Sequence, residues 1–186
     1  ALQELDKTLA KTVIDGDNQI DEMEKLIESK CLSLILRQQP IAGDLRNITT
    51  ALKMITDIER IGDHASDIAQ LTIKIKGELL YDVFQHIPQM AEKAVKMVHD
   101  SITAFVHKNL VEAERIIAAD DEVDALFCLV KTDLSDVLKQ DKDVHHNSID
   151  FLMIAKYLER IADHAVNICE WIIFSVTGEH KNIQIL

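Results

Sequence analysis

Apolar residues recur along this chain at three- and four-residue steps over long uninterrupted segments. Val13, Ile20, Ile27 and Leu34 stand seven apart, with Leu9, Met23 and Cys31 in the intervening turns. That spacing predicts an amphipathic helix over 9–39, packed in a bundle, with Asp6 placed to cap its start. Pro40 then breaks the pattern, since it disfavours helix in the residue before it and supplies no backbone donor. A second helix is predicted over about 43–76, roughly 50 Å long at 1.5 Å per residue, with Gly77 as its stop. Phe84, Ala91, Val98 and Phe105 carry a third at heptad spacing, with Pro88 in its first turn and an end near Asn109. Ile116, Val123, Val130 and Val137 carry a fourth. The polar stretch 140–147 predicts a loop, and a last helix follows over 148–177, closed by Gly178 and trailed by a fraying tail.

Composition strengthens the all-helical reading. Five Gly and two Pro in 186 residues are too few for the many turns of a sandwich or barrel. A net charge of −12 argues against nucleic acid as a partner, because phosphate backbones are held by clustered Lys and Arg. No basic helix face suits a membrane surface, and no apolar run approaches the roughly 18 residues of a spanning helix. No signal-peptide pattern opens the sequence. Cys31, Cys128 and Cys169 are widely spaced and odd in number, with no Cys-x-x-Cys pair. They are expected as free core residues in a reducing, cytoplasmic compartment.

The chain also repeats itself. Residues 58–69 read IERIGDHASDIA and residues 158–169 read LERIADHAVNIC, identical at seven of twelve positions with an offset of 100. Upstream, Asp17–Asp21 (DNQID) matches Asp120–Asp124 (DDEVD) with an offset of 103. The first repeat is assigned to 1–79 and the second to 80–186. One element has no counterpart: the helix predicted over about 82–108 matches nothing before the first Asp-x-x-x-Asp helix. Either the sequence is cut short at its start or another subunit covers the open apolar face.

Duplication retains acidic residues at helical spacing. Residues four apart share a helix face, so Glu59, Asp63 and Asp67 form one ladder, and Glu159 and Asp163 with Asn167 form another. Asp17 and Asp21 with Glu24, and Asp120 with Asp124, supply the facing sets. Most such ladders are solvated surface. Here, however, Glu59 and Glu159 fall on apolar stripes, Leu45–Leu52–Glu59 and Leu152–Glu159–Val166–Ile173. A carboxylate on a helix seam is costly unless paired or metal-bound. An all-oxygen set suits hard cations such as Mg, Ca, Mn or iron, while Arg60 and Arg160 offer a salt-bridge network instead. His64 and His164 point about 100° away and read as packing residues.

Enzymatic chemistry finds little support in the residues. A ferritin-like di-iron bundle needs Glu-x-x-His, which is absent. No phosphate-binding loop, nucleophile elbow or dinucleotide fingerprint occurs, and His145–His146 falls in the predicted loop. The competing reading is a carboxylate-ligated metal store or metal-dependent hydrolytic bundle.

The stretch RQQPIAGDLR (37–46), followed by IERIGDHA (58–65) and its second copy LERIADHAVNI (158–168), resembles the PhoU family. The resemblance implies two tandem up-down three-helix bundles related by pseudo-twofold symmetry, the first helix of the first repeat being absent here. It further implies multinuclear clusters of divalent or trivalent metal ions, iron or zinc among them, with Mg or Ca as other candidates. By position the implied ligands are Asp17, Asp21, Glu59, Asp63 and Asp67, and then Asp120, Asp124, Glu159, Asp163 and Asn167. It implies a non-enzymatic regulator of phosphate uptake and the phosphate-starvation response, a homodimer working between the phosphate ABC transporter ATPase and its sensor histidine kinase. Such a protein would meet the membrane only through those partners. Ala162 and Asn167 depart from the family's usual Gly and Asp.

Overall fold

The structure is a computed structural model that describes residues 1–75, 85–140, 145–180 and 183–184. It is all-α as expected: α1 (Lys7–Gln38), α2 (Ala42–Lys74), α3 (His86–His107), α4 (Leu110–Gln140) and α5 (His145–Thr177). Asp6 caps α1 as predicted, its Oδ1 accepting from the Thr8 and Leu9 amides at 2.9 Å each. Gln39 closes the helix in the left-handed region at φ 46°. α3 begins at His86, with Pro88 in its first turn where a missing donor costs nothing. α5 begins three residues before the predicted Ser148. The expected repeat boundary at 79/80, Phe84 and the Gly77 stop lie outside the described residues.

α5 is the organising helix, packed against α2, α3 and α4, while α1 packs on α2. The core lies among α3, α4 and α5, around Met90, Ile116, Val123, Val130, Ile154, Ile168 and Ile172. Ala94, Ala104, Ala155, Ala162 and Ala165 in the same core let the helix backbones approach closely. Cys31 and Cys169 are buried as expected, but Cys128 is exposed, because Leu126 and Val130 are the residues this stretch of α4 turns into the core. The tail, expected to fray, instead pairs Glu179–His180 with Ile183–Gln184 as a short antiparallel ribbon. His180 stacks on Trp171 at 3.9 Å between ring centroids, which anchors it.

The two halves differ in how well they are covered. Val13 on α1 and Ile116 on α4 occupy equivalent positions, yet Val13 is 36% exposed and Ile116 2%. Met23 and Leu126 repeat the contrast at 54% and 8%. α3 covers the second pair, whereas α1 meets no third helix among the described residues.

α2 and α5 cross the molecule antiparallel in one register. Thr50 meets Trp171, Asp57 meets His164 and His64 meets Tyr157, seven residues forward for seven back. An offset of 100 maps the Asp57–His164 pair onto Tyr157–His64. The pseudo-twofold axis therefore passes between His64 and His164, whose rings lie 5.6 Å apart.

Candidate functional site

Packing of α1 on α2 brings two acidic ladders together. One oxygen each from Asp17, Asp21 and Asp63 lie within 4.8 Å of one another. Gly62 permits the approach: a Cβ there would stand 2.8 Å from Ile20 Cδ1 and 3.1 Å from Asp17 Oδ1. Glu59, largely buried beside them, has an Oε2 with no hydrogen-bond partner, as does the Oδ1 of Asp17. Arg60 reaches Asp63 Oδ2 at 2.8 Å and Glu59 Oε2 at 3.3 Å, the latter too poorly aligned for a hydrogen bond.

These carboxyls pay for their crowding in protonation. Burial raises the Glu59 pKa, with Asp63 adding to it, the Arg60 charge opposing and Glu24 and Asp21 adding a little more. Burial also raises Asp17, against the pull of the Ser66 hydroxyl and with a further push from Asp63 and Asp21.

In the second half α4 and α5 bring the equivalent carboxyls near one another, without the three-oxygen convergence of the first among the described residues. Burial pushes Asp120 up to about 6, with Asp163, Asp124 and Glu159 adding their charge, and its Oδ1 has no partner. Burial and then Glu159 raise Asp163, while Lys156 opposes. Lys156 is ion-paired to Glu159 through Oε2.

Eight of the ten sequence-selected residues thus gather into two clusters, Asp17, Asp21, Glu59 and Asp63 in one half and Asp120, Asp124, Glu159 and Asp163 in the other. The remaining two stand apart. Each step of four along a helix rotates the side chain by about 40°, so the third rung of either ladder has turned about 80°. That rotation carries Asn167 to the α2–α5 seam, where its Nδ2 donates to Asp57 Oδ1 at 3.2 Å. Asp67 turns the same way, coming within 4.0 Å of His64 Nδ1 and standing near Tyr157, whose phenol pKa is pushed up by burial and then by the Asp67 charge. Its charge still reaches Asp17 weakly.

The seam itself was missed by sequence reasoning, apart from the packing role given to the histidines. His164 Nδ1 donates to Asp57 Oδ1 at 2.8 Å, and His64 stacks on Tyr157 at 5.3 Å. Burial, then the charges of His164 and Arg160, hold the His64 pKa below its ordinary value. The available signal was the duplication: Asp57 and Tyr157 are unlike residues at equivalent positions beside two conserved-in-repeat histidines.

Comparison with known proteins agrees with this architecture. The PhoU domain matches residues 1–72 and again 87–172. The phosphate-specific transport system accessory protein PhoU homolog of Clostridium acetobutylicum is 41% identical over 185 residues, spanning 99% of this chain and 84% of that protein. The PhoU accessory protein of Escherichia coli is 31% identical, over 96% of this chain and 74% of its own. The crystal structure of PhoU from Pseudomonas aeruginosa superposes with a TM-score of 0.88 at 32% identity, covering 96% of this chain and 86% of that one. A two-copy domain match, these identities and the shared all-helical architecture place the chain in the PhoU family.

Proposed function

We propose that this protein regulates phosphate uptake and the phosphate-starvation response by binding, not by catalysis. It acts as a cation-binding adaptor between the phosphate ABC transporter ATPase and the sensor histidine kinase, in the cytoplasm and as a homodimer. The similarity over nearly the whole chain to phosphate-specific transport system accessory proteins carries the phosphate role. No helix among the described residues is long and apolar enough to cross a membrane.

The donor sets fit a hard cation. Asp17 Oδ1, Glu59 Oε2 and Asp120 Oδ1 are buried acceptors without donors, beside carboxyls that push one another's pKa up. Asp17, Asp21, Glu59 and Asp63 would hold an ion in the first half, and Asp120, Asp124, Glu159 and Asp163 in the second. A bound cation supplies charge neutralisation and ties the two helices of each half together. The side chains themselves provide oxygens only; the nearby imidazoles of His64 and His164 are turned to the seam.

Deleting the protein in a host should raise phosphate uptake and starvation-gene expression, and an unchanged response would overturn the regulatory reading. Elemental analysis of protein purified without a metal-affinity tag should find metal in stoichiometric amount. Metal-free protein with full helicity and no affinity for added ions would leave Arg60 and Lys156 as the carboxylates' only counter-ions. Turnover of a phosphoester lost in a Glu59→Ala, Glu159→Ala variant would instead favour the metal-dependent hydrolytic reading.

A further inference from the structure

The two carboxylate clusters arose by one duplication, yet their surroundings have diverged in a single direction. Glu24, Glu28 and Thr56 lie on the helices that carry the first cluster; the equivalent positions of α4 and α5 hold Phe127, Lys131 and Lys156. Two carboxylates have gone, and an aromatic ring and two ammonium groups stand in their place. These replacements act together. Lys156 Nζ is ion-paired to Glu159 and sits 5.5 Å from the centre of the Phe127 ring. Lys131 Nζ lies 4.7 Å from the same ring.

The first cluster also has a cation at hand, but it is held differently. The Arg60 side chain is 55% exposed, against 38% for Lys156, and leaves Glu59 Oε2 without a hydrogen bond. Arg160, its counterpart, makes no ion pair among the described residues. Three oxygens already converge in the first cluster, from Asp17, Asp21 and Asp63; no equivalent group converges in the second among the described residues.

We propose that Lys156 is a tethered competitor for the second cluster, which makes the first half the tight cation site and lets the second fill only when the ammonium is displaced from Glu159. This deepens the cation-binding reading and rests on it. An incoming ion must break a charge-assisted bond formed where Glu159 is largely desolvated, and Lys131 over the same Phe127 ring adds a second positive charge on that side of the helix pair. Phe127 steadies the ammonium in the bound position and offers it a second favourable contact after release. The two halves are thereby graded in affinity, and the protein responds to cation over a wider concentration range than two equal sites would give.

Titrating the chelator-treated full chain with Mn²⁺, followed by calorimetry and by the electron paramagnetic resonance of free Mn²⁺, tests this. Two classes of site are expected, separated by about tenfold or more in affinity. Asp17→Asn with Asp21→Asn should abolish the tight class alone. Lys156→Met keeps the aliphatic stem and removes the charge; it should tighten the weak class about tenfold and leave the tight class unchanged. In the unaltered protein, acylation of Lys156, mapped by peptide mass, should quicken when Mn²⁺ saturates the weak class. Two equal sites in the unaltered chain, a weak class indifferent to Lys156→Met, or Lys156 acylation that does not respond to Mn²⁺ would each overturn the proposal while leaving cation binding intact. Absence of any Mn²⁺ binding at millimolar concentration would overturn the cation reading and this proposal with it.

Discussion

Asp120 is the carboxyl in which crowding is felt most, since burial and the charges of Asp163, Asp124 and Glu159 carry its pKa to about 6. A folded-state pKa raised above the unfolded value near 3.8 means that the native state holds this proton more tightly. Its contribution is fully present below pH 3.8, is lost progressively as pH rises between there and about 6, and is gone above that value. Asp120→Asn should therefore raise the melting temperature of cation-free protein by about 2–5 °C at pH 7.5 and by about half as much at pH 5. Scanning calorimetry of both proteins at the two values checks it, and an equal shift at both would refute the assignment. Gly62 makes a second case. An added methyl meets the mobile end of Ile20, so Gly62→Ala should change stability by less than about 1 kcal/mol in a urea melt. The same methyl stands 3.1 Å from Asp17 Oδ1 and should weaken Mn²⁺ binding in the first half; unchanged affinity would show that Asp17 is not a ligand. The gathering of eight acidic side chains into two groups was legible in the sequence, because a four-residue spacing on two neighbouring helices fixes which carboxylates face each other. The turn of Asp67 and Asn167 toward the α2–α5 seam was not legible, because the ladder rotates slowly about the helix and was read as straight. Lys156 stands three residues before Glu159 on the same helix, a pair that spacing alone can show, but its contact with Phe127 crosses from α5 to α4 and could not be read that way.

At the level of elements, α1 and α4 are duplicates in very different surroundings. α4 buries Ala113, Ile116, Val123, Leu126, Val130 and Leu134, while α1 buries only Ala10 and Cys31 among its described positions. Hydrophobic stabilisation follows area removed from water, so equivalent truncations should differ sharply in cost. Ile116→Ala should destabilise the protein by about 2–4 kcal/mol, and Val13→Ala by less than about 1 kcal/mol. Urea denaturation of the two variants measures this; equal losses would mean that α1 is covered in solution. The helices themselves could be read from the seven-residue apolar spacing, with ends correct to within a few residues. Periodicity marks which face of α1 is apolar, but carries no information on whether a neighbour covers it. The tail ribbon escaped for a related reason, since stacking of His180 on Trp171 joins residues that share no periodic pattern.

At the level of the whole molecule, the halves are joined through α2 and α5, and the polar centre of that seam is asymmetric. His164 and Asn167 both donate to Asp57, whereas their counterparts His64 and Asp67 face Tyr157. A carboxylate only accepts, so the 2.8 Å contact places the proton of His164 on Nδ1 and fixes its tautomer. Tyr157 cannot satisfy two donors as Asp57 does, and His64 meets it by stacking, its Nδ1 buried without a hydrogen bond. The two sides of the axis thus use different chemistry to hold one register. If Asp57 is the hub, Asp57→Ala strands two donors in a half-buried seam and should cost about 1–3 kcal/mol. His164→Ala removes one of the stranded groups, so the double variant should lose less than the two single losses combined. A coupling of about 1 kcal/mol or more is expected from the cycle. His64→Ala, which reaches Asp57 only through His164, should instead add its loss to that of Asp57→Ala within about 0.5 kcal/mol. Chemical denaturation of the unaltered protein and the five variants supplies every leg. Independence of Asp57 and His164 would reduce the seam to a passive surface, with apolar packing alone setting how the halves sit.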